Sequence, residues 1–229
     1  MSSRATVSQR IRNAARHRDI RFLLHFTLTR NLSNIVQHGI LPREMLYPAE
    51  FTAYAGAQHR LDASDQAVSF SISGASQKIF SAKSRDSKQA EWVMLFIDPG
   101  ILWTHNCRFC FRNAATREML DHRGFLGGPW AFEQMFSDEM APARFKGQSY
   151  RAETGIPSFL PTDPDAEVQI IGSVSADQII GAWTCRNDDA ATIQGELDQI
   201  PGPERDVLVE DFKTASNGYS EWIVPRFML

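Results

Sequence analysis

Apolar and polar residues alternate along some stretches of this chain and run together in others, and that difference sorts its segments. Trp92-Val93-Met94-Leu95-Phe96-Ile97 is an unbroken apolar run, the pattern of a strand covered on both faces, and Asp98-Pro99-Gly100 stops it. Ala67-Val68-Ser69-Phe70-Ser71-Ile72-Ser73 has period two. Val68, Phe70 and Ile72 therefore share one face and the three serines the other, which predicts a half-buried strand whose serine face looks at solvent or at a site. Phe22-Leu23-Leu24 predicts a strand over 21–26. Leu32, Ile35 and Val36, at i, i+3 and i+4, predict a helix over about 30–38 that ends at Gly39 and is barred from continuing by Pro42. His25 and Thr27 then fall on the turn between that strand and that helix.

The remaining pattern is less regular. Residues 5–17 predict a short basic helix, and 42–66 an irregular polar loop with short helical pieces. Residues 104–160 read as loop and helix, with Gly124, Gly127, Gly128 and Pro129 in one cluster. Pro161-Thr162-Asp163-Pro164 is a rigid turn that feeds a strand over Ala166-Glu167-Val168-Gln169-Ile170-Ile171, with Glu167 among its first positions. Val174 and Ile179 to Trp183 predict a short helix and a strand. Residues 187–213 predict a helix, a Pro-Gly-Pro interruption at 201–203 and a second helical turn, and 220–227 a terminal strand. No internal repeat or low-complexity tract is present.

Composition narrows the class. At 229 residues, 43% hydrophobic and 22% charged, the chain suits one globular domain over 21–229, with residues 1–20 as a basic N-terminal extension. No apolar stretch approaches the roughly 20 residues needed to span a bilayer, and MSSRATVSQRIRN has no apolar export signal. A cytoplasmic location and no membrane partner are expected. Cys107, Cys110 and Cys185 form an odd set, which argues for thiols over a disulfide framework. Cys107-x-x-Cys110 lacks the second ligand pair that a zinc site needs, so no metal is expected. The net charge of −3 hides an asymmetry: Arg4, Arg10, Arg12, Arg16, Arg18 and Arg21 stand against Asp19 alone, while the C-terminal fifty residues are acidic. A basic arm on an acidic body suits contact with phosphates, or else is a solvated leader.

Phosphate-cradling and hydrolase motifs are absent: there is no GxxxxGK[ST], GxGxxG, GxSxG or HExxH. What remains is a strand-end histidine, His25, a serine-faced strand, Arg60 in the loop before it, and the strand-start Glu167. Those are the parts needed to cleave a glycosidic bond in a nucleotide cofactor. Such a reaction passes through an oxocarbenium-like ribose, which a carboxylate on the 2′-hydroxyl stabilises. A histidine can fix the other ribose, and an arginine can neutralise the pyrophosphate.

Five ordered blocks carry a resemblance. Leu24-His25-Phe26-Thr27 with Arg30-Asn31-Leu32, Ile35 and Gly39 comes first, followed by His59-Arg60-Leu61-Asp62 leading into the serine strand. Trp92-Val93-Met94-Leu95 with Asp98-Pro99 is third, Asn113-Ala114-Ala115 fourth, and Pro161-Thr162-Asp163-Pro164 with Ala166-Glu167-Val168 last. Together they resemble the DarT family, toxin enzymes that ADP-ribosylate bases in nucleic acid.

The resemblance implies an α+β ADP-ribosyltransferase fold with NAD, the ADP-ribose donor, in a cleft between two small, mostly antiparallel sheets flanked by helices. It implies Glu167 and Arg60 as catalytic residues. It further implies NAD binding by His25, Phe26, Thr27, Asn31, Leu32, Arg60 and Ser71, with Ser71 near the nicotinamide. Lys78, Arg85, Arg144, Lys146 and Arg151 are the expected nucleic-acid contacts. The chain departs from the family pattern at Gly74-Ala75-Ser76-Gln77-Lys78, where relatives carry a Pro-Asn-Tyr type stretch. The expected acceptor is a base of single-stranded DNA, with RNA or a catalytically silent nucleic-acid-binding module as alternatives. By family analogy the enzyme is a toxin, of a toxin-antitoxin or phage-defence system, that needs a macrodomain hydrolase or another antitoxin as partner.

Overall fold

Alternation along the central strands builds two cores, one on each face of a sheet. In Trp92–Ile97, Val93, Leu95 and Ile97 enter one buried cluster while Met94 and Phe96 enter the other. Leu23 and Leu24 divide in the same way. Each fully buried side chain of this size contributes roughly 1.5–3 kcal/mol. The structure, a computed structural model, describes residues 5–47, 62, 64–86, 91–142, 145, 149–212 and 221–228, the side chains of 83, 85 and 86 excepted.

In chain order the elements are α1 (Val7–His17), β1 (Leu23–Leu28), α2 (Leu32–His38), α3 (Arg43–Leu46), β2 (Ala67–Ile72), β3 (Ala75–Ser76) and α4 (Gln77–Asp86). Then come β4 (Trp92–Ile97), α5 (Ile101–Thr104), β5 (Cys107–Cys110), α6 (Arg117–Leu120), α7 (Pro129–Gln134) and α8 (Tyr150–Thr154). Last are β6 (Glu167–Ile171), β7 (Ile179–Thr184), α9 (Asn187–Leu197), β8 (Asp206–Val209) and β9 (Trp222–Ile223). Seven strands form a sheet in the order β5-β6-β2-β1-β4-β7-β8, and β3 pairs with β9 apart from it. Every pair is antiparallel except β7–β8.

The large sheet is two leaves joined at a short seam. β1 pairs with β4 from Leu23↔Ile97 to Leu28↔Trp92, and β2 pairs with β6 from Ala67↔Ile171 to Phe70↔Val168. Between the leaves, β1 and β2 meet only at Leu23↔Ile72 and Leu24↔Ser71. Beyond those pairs the strands part, as twisted strands with firmer partners on their other sides must.

Several expectations are corrected by this pairing. β1 runs to Leu28 because β4 pairs with it that far, so His25 and Thr27 lie within the strand and not on the turn after it. A 3₁₀ turn, Thr29–Asn31, precedes α2, and Gly39 ends α2 at φ 81°. A side chain at Gly39 would meet the Val174 carbonyl oxygen at 2.5 Å. β5 lies in the region read as loop and helix. The expected helical turn after Pro203 is the strand β8, parallel to β7. Arg205, 5% exposed, enforces that turn by donating to the carbonyls of Ile179 (2.6 Å), Ile200 (2.9 Å), Pro203 (2.9 Å) and Pro201 (3.2 Å). The terminal strand shortens to Trp222–Ile223. The N-terminal segment packs on the body: Thr6 caps α1 with a capping box to Gln9, and Ile11, Ala15 and Ile20 join the main core. No helix among the described residues is long and apolar enough to cross a membrane.

Two arginines grip the turn that leads into β6. Arg151 donates to the carbonyls of Pro157 (2.7 Å) and Leu160 (2.9 Å) and to the Thr162 hydroxyl (3.0 Å). Its guanidinium is thus engaged by the chain's own oxygens. Arg112 donates to the Met140 carbonyl and to Asp163 Oδ2 (2.7 Å), while Asp163 Oδ1 accepts from the Asp165 N–H (2.7 Å).

Two predictions follow from this packing. Cys107 and Cys110 are buried, three apart on a strand and so turned to opposite faces, and burial pushes both thiols up to about 12. Cys185 is exposed. Alkylation of the native protein near neutral pH is therefore expected to label Cys185 alone, with all three cysteines labelled after denaturation; mass mapping of native label onto Cys107 or Cys110 would contradict this. Burial also pushes the Asp163 carboxyl above its ordinary 3.8, against the opposing hydrogen bonds from Asp165 and Arg112. The folded state therefore binds this proton more tightly than the unfolded chain does. The stabilisation is full below about pH 4 and lost as pH rises through the raised value. Urea midpoints should show the stability of the native chain, relative to Asp163→Asn, falling over that window; a difference that is flat or rising with pH would refute the linkage.

Candidate active site

Where β1 leaves β2, a cleft of about 330 Å³ opens, the lower end of ligand-pocket sizes. Its walls include His25 and Phe26 from β1, Ser69 and Ser71 from β2, Glu167 from β6, and Asp62. His25 Nδ1 lies 3.1 Å from the Ser69 carbonyl oxygen. A carbonyl only accepts, so Nδ1 carries the hydrogen, and in the neutral ring Nε2 is the acceptor. The imidazole takes the place of a main-chain donor across the opening seam. Phe70 packs beside it, ring centroids 5.4 Å apart. Phe26 is braced by Phe80 and Trp92 at about 6 Å, and Ser71 stands on the last residue pair before the strands diverge.

Glu167 opens β6 opposite Cys110. Its Oε1 accepts from the Ala114 N–H at 2.6 Å, and the Asn113–Ala115 segment beside it forms part of the cleft wall. A charge-assisted bond of this kind fixes the carboxylate's orientation. The structure thus brings His25, Phe26, Ser71 and Glu167 to one cleft. Thr27, Asn31 and Leu32 do not line it. Asn31 donates to Thr27 Oγ1 at 3.1 Å, tying the end of β1 to the start of α2, and Leu32, 1% exposed, is a core side chain. Arg60 lies outside the described residues.

One polar network in the wall escaped the sequence reading. Gln169, 0% exposed, follows Glu167 by two and so shares its face of β6. Its Nε2 donates to Asp62 Oδ2 at 2.6 Å, and its Oε1 accepts from Arg108 Nη1 at 3.1 Å. Arg108 also donates to Ser64 Oγ at 3.0 Å. The available signal was a glutamine interrupting the apolar run Val168-Gln169-Ile170, since a buried amide has to be met by partners.

A second cavity, about 450 Å³, shares Ser76, Pro164 and Asp165 with the first and adds Lys78, Arg112 and Asp163. Ser76 donates to Asp165 Oδ1 at 2.5 Å, and Lys78 reaches Asp165 Oδ2 at 3.3 Å. Though larger, it holds neither His25 nor Glu167, so the chemistry is assigned to the seam cleft. Lys78 is the one expected nucleic-acid contact found at a cavity; the Arg85 side chain, Arg144 and Lys146 lie outside the described residues.

The architecture has known counterparts. DarT of Thermus sp. 2.9 in complex with ADP-ribosylated ssDNA is similar over 84% of this chain and 95% of that one, at 15% identity and a TM-score of 0.57. The same protein with carba-NAD+ gives 0.55 at 14% identity, over 84% and 97% of the two chains. With NAD+ it gives 0.51 at 12%, over 82% and 96%. At such identities the likeness establishes the fold, an ADP-ribosyltransferase fold of mixed α+β type. A search among curated proteins finds no match. The profile of a family described as "ssDNA thymidine ADP-ribosyltransferase, DarT" matches residues 24–211, which takes in both leaves and the whole seam cleft, and by that match the chain belongs to the DarT family of NAD-dependent ADP-ribosyltransferases.

Proposed function

We propose that this chain transfers ADP-ribose from NAD to a thymine base of single-stranded DNA in the seam cleft. The observation that carries the reading is the convergence of His25 and Ser71, beside the seam, with Glu167 on the neighbouring strand, in one cleft of a DarT-family chain. The DarT structure holding ADP-ribosylated ssDNA supports the acceptor class.

The chemistry fits these groups. The bond between nicotinamide and ribose C1′ breaks, nicotinamide leaves with the electron pair, and positive charge develops on the ribose. Glu167, held at Oε1 by Ala114, hydrogen-bonds the ribose 2′-hydroxyl and stabilises that charge more in the transition state than in the ground state. Thymine N1 is bound to its own sugar, so N3 is the ring nitrogen that attacks, and its proton must leave. Glu167 is also placed to assist that loss. His25, with Nδ1–H on Ser69, meets the adenosine ribose through Nε2, and Phe26 and Ser71 flank the nucleotide. Arg60 pairs with the pyrophosphate by family resemblance, and Thr27 and Asn31 support β1 behind His25. By the same resemblance the enzyme is a toxin held in check by an antitoxin.

The test is transfer from labelled NAD to single-stranded DNA, with RNA and a thymine-free strand in parallel and Glu167→Gln alongside. Label is expected on thymine-containing DNA only. The variant should lose at least about a hundredfold in turnover while its NAD affinity stays within about threefold of the native value. Label on RNA but not DNA would overturn the acceptor, unchanged turnover in the variant would overturn the role of Glu167, and no label on any polymer would overturn the enzymatic reading.

A further inference from the structure

We propose that the outer side of the β5 edge, where α1, α7 and the 121–130 segment lie together, is an accessory binding surface for unpaired DNA, apart from the catalytic cleft. It rests on the reading that the cleft acts on single-stranded DNA, and it names a second place where that strand is held. Phe125 is 80% exposed and Trp130 56%. Neither exposure is an accident of a loose loop. A side chain at Gly127 would meet the Phe125 ring at 2.7 Å, and one at Gly128 would meet it at 3.5 Å. The ring is therefore laid against the glycine main chain, with most of its surface open. Trp130 lies nearly parallel to His122, 12° between the planes at 6.2 Å, and His122 is held edge-on to Phe111. Braced rings that are open to solvent are the platforms on which unpaired bases stack.

Cations stand on α1, which packs on the α7 that carries Trp130, and in sequence next to Phe125. Residues 5–21 carry five arginines and one acid. Ile11 and Ala15 turn α1 against the body, and the exposed Arg10, Arg12 and Arg16 have no ion-pair partner among the described residues, nor has Arg123 beside Phe125. The acids there are already engaged: Glu133 with Arg18 (2.6 Å), Asp19 with Arg21 (2.6 Å), Asp121 with Arg117 (3.3 Å) and Glu118 with Arg112 (3.4 Å). The Arg18–Glu133 pair fixes α1 to α7, and Trp130, three residues before Glu133, shares its side of the helix. Arginines without an ion pair and open rings, on elements that pack together in a chain of net charge −3, complement a single strand, which offers phosphates and base faces together. The chain also runs from the cleft toward this surface: Asn113–Ala115, ahead of the 121–130 segment, stands at the cleft wall and binds Glu167.

The experiment compares native protein with Phe125→Ala/Trp130→Ala and with Arg10→Ser/Arg12→Ser/Arg16→Ser. Fluorescence anisotropy over a salt series is read on thymine-containing strands of about 4 and about 25 nucleotides, lengths that bracket common single-strand site sizes. Native protein should bind the long strand at least about tenfold tighter, and the aromatic variant should lose about tenfold or more on it. The arginine variant should show a log Kd against log salt slope smaller by about 2. Both variants should melt like the native chain and label the short strand at its rate. Native-like long-strand binding in both variants, or an equal loss on the short strand, would overturn the proposal. So would binding to anionic vesicles, and not to DNA, that the same substitutions abolish. Anisotropy needs no transfer, so a native protein that binds the long strand through these residues but labels nothing overturns the proposed reaction and leaves the surface standing.

Discussion

The structure depends on a main-chain conflict: β1 and β2 are neighbours that can pair for only two residues. β1 is committed to β4 along its whole length, and β4, buried on both faces, cannot follow β2 without tearing two cores. β2 is likewise committed to β6. The seam must open, and opening it frees main-chain polar groups that a protein interior does not tolerate unsatisfied. His25 answers this by donating Nδ1–H to the Ser69 carbonyl. The same ring thereby ties the leaves together and acquires a defined tautomer, so one local repair supplies both a cleft and an oriented ring in its wall.

The remaining site features secure what the seam exposes. Glu167 stands one strand away, on the first residue of β6, and its position is only as good as the turn that delivers it. Arg151 and Arg112 bind that turn from both ends through carbonyls, a hydroxyl and Asp163. Behind Glu167, the buried Gln169 ties β6 to Asp62 and to Arg108. A buried polar chain of this kind is stabilising only when complete, which makes the register of β5, β6 and the cleft wall interdependent. The geometry of the cleft is set by strands and by internally bonded arginines.

How much of this the sequence disclosed depended on range. β4 and β2 could be read from their own patterns, because burial on two faces and on one face leave different signatures within six residues. Glu167 could be placed at a strand start because Pro161-Thr162-Asp163-Pro164 forces a turn before it. β5 could not, since Cys107-Arg108-Phe109-Cys110 puts a charge mid-strand, and only Gln169 and Ser64 across the fold make that charge tolerable. β8 resembled a helical turn because nothing local reveals that Arg205 pins the preceding Pro-Gly-Pro segment. Arg151 looked like one more surface cation for the same reason. The resemblance to DarT supplied the roles of His25 and Glu167; the seam that brings them together is a property of pairing, and no window of sequence contains it.

Charge also bears on why the cations proposed to hold DNA should stand away from the cleft. The described walls of the cleft carry three carboxylates, Asp62, Asp165 and Glu167, against one arginine, Arg43. That excess suits a transition state with a cationic ribose. It is a poor environment for the phosphates of an acceptor strand. A basic surface outside the cleft, as proposed, would meet the conflict, because salt screens charges beyond about 10 Å from the ribose while a phosphate can still bind in direct contact with an arginine. Under the two proposals, the acidic cleft wall and the basic α1 are halves of one electrostatic arrangement: negative where positive charge must form, positive where the polymer would be held.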